Sequence, residues 1–70
     1  MGQESQTEKI LKERFPQDAI MLASAVNTQL RDYYSSLDAF CEDLGIDKKV
    51  LISKLGEAGF EYLPQINQFR

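Results

Sequence analysis

The stretch "CEDLGIDKKVLISKL", Cys41 to Leu55, sets one glycine between two runs of apolar residues and follows it with an aspartate and a lysine pair. Leu37, Phe40, Cys41 and Leu44 recur at steps of three, one and three, and Leu51 and Leu55 at a step of four, so each run presents one apolar helical face. Gly45 stands where the first helix must stop, in the position where a left-handed backbone carries no Cβ penalty. Asp47 is suited to cap the next helix by accepting from its orphan amides. Ile46, between them, has to be a buried plug. The stretch therefore reads as two short helices meeting at a tight corner.

Upstream, Leu22, Val26, Leu30 and Tyr33 repeat at helical steps from Ala19 to about Tyr33, with Met21 and Ala25 widening the stripe. Asp18 is the expected N-cap, and Ser35 and Ser36 end this helix, with Ser36 capping the one that starts at Leu37. Of Tyr33 and Tyr34, only one can face inward. Before Pro16, which disfavours helical geometry at Phe15, "TEKILKERF" offers Ile10, Leu11 and Phe15 for a short helix with Thr7 as its cap. Downstream, Ala58 continues the Leu51 and Leu55 stripe until Gly59. "FEYLPQINQFR" then alternates Phe60 with Tyr62 and places Pro64 at a turn, which reads as a hairpin or an extended tail folded back on the helices.

Seventy residues make one domain close to the size at which a single core is marginal. An apolar fraction of 43% with 27% charged residues and seven aromatics fits a folded chain and excludes a disordered one. The formal charge of -3 argues against a general polyanion binder, whose affinity comes from clustered Lys and Arg neutralising phosphates. Histidine is absent and Cys41 is the lone cysteine, so neither an internal disulfide nor a Cys/His zinc site can be built. The longest apolar run, Ala19 to Ala23, is far short of a membrane span, and "MGQESQTEKIL" has no apolar core of a signal peptide. The expectation is a soluble chain that is not exported, in a reducing cytoplasm.

The corner is similar to the helix-turn-helix signature. It has a small residue four before the glycine (Cys41), apolar residues five and one before it (Phe40, Leu44) and apolar residues one and six after it (Ile46, Leu51). Helices crossing at about 90 to 120° need this small contact, bend and plug. Lys54 departs from the signature nine after the glycine, where an apolar residue is usual, and Leu55 can fill that role. The packing residues are not the reading residues. An outward face of Lys48, Lys49, Ile52, Ser53 and Gly56 offers phosphate contacts but no Arg, Asn or Gln for base edges.

From about Phe15 to Phe69 the chain also resembles a family of short bacterial proteins, the domain-of-unknown-function family numbered 4250. The resemblance rests on "FPQDAIML", "SAVNTQLRDYYSSLDAFCEDLGID", "KLGEAGFEY" and "NQF". Ala19 departs from the proline that members often carry after the aspartate. The family brings no assigned activity, so the resemblance implies no catalytic or binding residue.

No pair of side chains has the makings of a base and a nucleophile, and Cys41, with Glu42 and Asp43 after it, reads as a small core residue and not a reactive thiol. Asn27, Arg31 and Asp32 form a candidate polar cluster, or brace the loop at Ser35 and Ser36. The acids Asp38, Glu42, Asp43 and Asp47 read as a solvated face and not a cation site. Asn67 and Gln68 read as amides that satisfy backbone groups at a turn.

The expected fold is mainly all-α: a small three- to four-helix bundle with a helix-turn-helix-like corner and a short C-terminal extended segment or hairpin. Residues 1–6 are expected to be a disordered N-terminus and 7–70 one helical domain. The expected function is a non-catalytic protein-interaction module, without cofactor, metal or membrane contact. It meets a protein partner or a second copy through Lys48, Lys49, Ile52 and Ser53, and the alternative is a helix-turn-helix DNA-binding regulator.

Overall fold

The structure, a computed structural model, describes residues 6–70. The expected disordered stretch thus falls, at residues 1–5, outside the described residues, and Gln6 opens the first helix. In chain order the elements are α1 (Gln6–Arg14), α2 (Ala19–Asp32), α3 (Leu37–Leu44), α4 (Lys48–Gly56), β1 (Tyr62–Leu63) and β2 (Gln68–Phe69). The fold is the expected small all-α bundle, and its extended C-terminal segment is a hairpin.

Local chemistry starts and stops each helix. Asp18 Oδ1 accepts from the amides of Ile20 and Met21 at the start of α2. Ser36 Oγ accepts from Ala39 N, and Asp47 Oδ1 from Lys49 N, at the starts of α3 and α4. Gly45 ends α3 with φ 75°, the left-handed geometry its position requires. Ile46 is buried behind it.

Thr7 is not a helix cap. It lies inside α1, buried, and its Oγ1 accepts from Asp47 N at 2.6 Å, so α1 docks on the α3–α4 turn. The sequence shows a hydroxyl near a helix start, but the donor that claims it lies forty residues on.

The core is Leu11, Leu22, Ala23, Val26, Leu30, Leu37, Phe40, Cys41, Ile46, Leu51, Leu55 and Phe69. Burying each leucine fully contributes roughly 1.5–3 kcal/mol before chain entropy is counted. Phe15 and Tyr34 pack edge-on to Phe40, with ring centroids at 6.1 and 5.5 Å.

Three expected core positions face solvent. Met21 is 59% exposed because the α2 stripe widens through Ala23, on the other flank of Leu22. Tyr33 is 72% exposed. There α2 unwinds, with the amides of Tyr33 and Tyr34 both donating to Gln29 O, and it is Tyr34 that turns to the core. Ala58 is exposed since α4 ends at Gly56, where Phe60 N returns to Leu55 O and Gly59 reverses the chain at φ 90°.

β1 and β2 pair antiparallel, Tyr62 opposite Phe69 and Leu63 opposite Gln68. Reciprocal bonds between Glu61 and Arg70 extend the ladder. Two-residue strands are not stable alone; the hairpin exists because β2 lies on α2 and Phe69 is 1% exposed.

Candidate functional site

α4 turns Leu51 and Leu55 fully inward, so its other faces carry the four expected surface residues. The structure divides them between two depressions. Lys48 and Ile52 lie in a groove of about 270 Å³ that is closed by Leu37 at the start of α3 and by Tyr62 and Pro64 of the hairpin. Lys49 and Ser53 lie in a wider hollow of about 520 Å³, between Glu8 of α1, Lys54 of α4 and Glu57 just past its end. The hollow is larger and more open, and most of the residues that line it are charged. The groove is the better candidate, because Leu37, Tyr62 and Pro64 stand around Ile52, 37% exposed, beside the paired Asp38 and Lys48.

Lys48 is engaged. Its Nζ lies 2.6 Å from Asp38 Oδ1, and this hydrogen bond and charge raise its pKa above the ordinary lysine value. The four acids do not converge: Asp38 holds Lys48, Asp43 accepts the Tyr34 hydroxyl and Asp47 caps α4. The bond to Asp43 raises the Tyr34 pKa. Among the described residues no group of three or more His, Cys, Asp or Glu is placed to hold a metal ion. Cys41 is buried, and loss of hydration, followed by the charge of Asp38, pushes its thiol up to about 11.

Asn27, Arg31 and Asp32 do not act as one hydrogen-bonded cluster. Arg31 Nε and Nη2 donate to the two oxygens of Asp32. This exposed pair raises the Arg31 pKa and lowers that of Asp32. Asn27 instead faces the hairpin. Its Oδ1 accepts from Phe69 N at 2.7 Å and its Nδ2 donates to Phe69 O at 3.0 Å, so one side chain covers the outer edge of β2 as a neighbouring strand would.

Asn67 and Gln68 satisfy backbone groups, and at a distance. Asn67, left-handed at φ 54°, donates from Nδ2 to the carbonyls of Leu30 and Tyr34 at the end of α2. Its Oδ1 accepts from the Tyr62 hydroxyl at 2.7 Å, and that hydroxyl accepts from Leu37 N, the first amide of α3. Gln68 Nε2 donates to Asn27 O. Sequence reasoning missed Tyr62 in this role. Its only signal was an aromatic with a polar tip one strand away from an asparagine.

No curated protein and no solved structure matches the chain significantly. A family model does match, over residues 16–69, and takes in α2, α3, α4 and the hairpin with every wall of the Ile52 groove. The chain belongs to the family described as Domain of unknown function (DUF4250).

Proposed function

We propose that the chain is a small non-catalytic interaction module of the bacterial cytoplasm, which binds another protein or a second copy of itself through the Ile52 groove. The observation that carries this reading is Ile52 itself. It is 37% exposed on a helix whose Leu51 and Leu55 are wholly buried, and it is framed by Leu37, Tyr62 and Pro64. An apolar side chain inside a ring of lysine stem, tyrosine and proline suits the dry centre of a modest protein contact.

The rival, a DNA-binding regulator, is supported by the Gly45 corner and by the cationic side of α4. Its Lys48 has its charge offset by the neighbouring Asp38, and the remaining lysines belong to a chain of charge -3.

The test joins light scattering and partner capture to a salt titration of binding to mixed duplex DNA. Ile52→Asp is expected to abolish self-association or partner capture with the fold intact, and replacing Lys48 and Lys49 by alanine to weaken it slightly. Submicromolar, steeply salt-dependent DNA binding that survives Ile52→Asp and is lost with the lysine pair overturns the proposal.

A further inference from the structure

The hairpin does more than cover a face of the bundle. Each end of the α2–α3 junction is completed by it: Asn67 takes the carbonyls of Leu30 and Tyr34, which the end of α2 leaves open, and the Tyr62 hydroxyl takes the first amide of α3. These are the orphan groups that a helix cannot satisfy within itself. The same Tyr62 and the neighbouring Pro64 wall the Ile52 groove. Hold on the bundle runs in the opposite direction through Asn27, whose amide reads both backbone groups of Phe69. The two-residue strands have no stability of their own, so the hairpin depends on these contacts to stay in place.

We propose that the C-terminal hairpin, Glu61 to Arg70, is a clasp that opens as one unit, and that opening uncaps α2 and α3 and dismantles the Ile52 groove in a single step. The main body, with Leu22, Val26, Phe40, Leu51 and Leu55 at its centre, stays folded when the clasp opens. Whatever occupies the groove is then coupled to clasp closure, because only the closed state has the wall formed by Tyr62 and Pro64. This inference does not depend on what the groove binds.

Two built-in reporters separate local from global opening in the full chain. Amide exchange of Leu37, Glu61, Phe69 and Arg70 follows the clasp, because these amides are bonded to Tyr62, Arg70, Asn27 and Glu61. Labelling of Cys41 by a thiol reagent follows the body, since that thiol is 4% exposed. Asn67→Gly keeps the left-handed backbone available and removes three hydrogen bonds. It is expected to speed exchange of all four amides about 10- to 1,000-fold together, the equivalent of the usual net worth of those bonds, with Cys41 labelling changed less than about twofold. Tyr62→Phe, which removes only the hydroxyl, is the second variant if Asn67→Gly does not fold, and the same order is expected with a smaller factor. If Cys41 labelling accelerates in step with the amides, the clasp is not a separate unit. If Leu37 keeps its slow exchange while the hairpin amides speed up, the caps are not tied to it. Either result overturns the proposal.

Discussion

The α3–α4 corner and the docked hairpin are both compact, but they are held by opposite means. At the corner, the side chains of Ser36 and Asp47 and the backbone of Gly45 each do their work within four residues of their own position, although the amide of Asp47 reaches back to Thr7. The hairpin is held by amides and a hydroxyl whose partners stand 25 to 42 residues away, such as Tyr62 on Leu37 and Asn27 on Phe69. The corner spends its stability on buried leucine and phenylalanine, and the hairpin on one buried phenylalanine and a lattice of hydrogen bonds. A non-directional force tolerates small misplacement; a hydrogen bond does not. The two regions should therefore fail differently.

The largest effect is expected from Leu51→Ala, which empties a site with no exposure at the heart of the corner. It should cost about 2–5 kcal/mol in a urea melt, and a loss below about 1 kcal/mol would show that the corner is not held by its leucines.

Cys41 carries the next. Its pKa is raised from 9.0 to about 11, so the folded state keeps a proton that the unfolded state gives up. The stabilisation is full below pH 9 and is lost as pH rises through about 11, an amount of ~2–3 kcal/mol. Stability measured across that window should fall more steeply in the wild type than in Cys41→Ala.

Asn27→Ala leaves the amide and carbonyl of Phe69 without their partner and should cost about 1–3 kcal/mol. Exchange should quicken in the hairpin before it does in α4, and uniform quickening would erase the contrast between the regions.

Gly45→Val should be worse than Gly45→Asn by about 1 kcal/mol in the same melts. The nearest atoms to an added Cβ, Gln6 Nε2 at 3.7 Å and Ile10 Cδ1 at 3.9 Å, leave ordinary room, so the cost is one of backbone and not of space. Equal stability of the two variants would tell against the left-handed turn.

Lys48→Ala should change stability least, with no resolvable shift of the urea midpoint, because Lys48 and Asp38 are well exposed and their attraction is screened.

The same contrast explains what could be read in advance. Caps, periodic leucines and a glycine stop act locally, so the boundaries of α2 and α3, the Gly45 geometry and the buried faces of Leu51 and Leu55 were legible from residue order alone. Tyr33 and Ala58 were misplaced because a stripe does not record where a helix unwinds, and that point is decided by which amide returns to Gln29 or Leu55. Thr7, Asn27 and Tyr62 were unreadable in a stronger sense. Each satisfies a partner more than twenty residues distant, and nothing in the local pattern of a threonine, an asparagine or a tyrosine names that partner. For the candidate site, the residues of α4 were visible, but the wall supplied by Tyr62 and Pro64 was not. A groove is a property of two segments, and the periodicity of one does not describe the other.

The bond from Asp47 N to Thr7 Oγ1 joins the region matched by the family to a helix that precedes it. The matched part, residues 16–69, builds its own caps but draws one hydrogen-bond acceptor and the buried Leu11 from α1. In a relative without a counterpart of α1, that turn amide would have to pass to water and the apolar surface beneath Leu11 would be bare. The stretch matched by the family model is thus smaller than the packed unit of this chain, and a fragment trimmed to residues 16–69 would keep the corner without the acceptor that completes its turn.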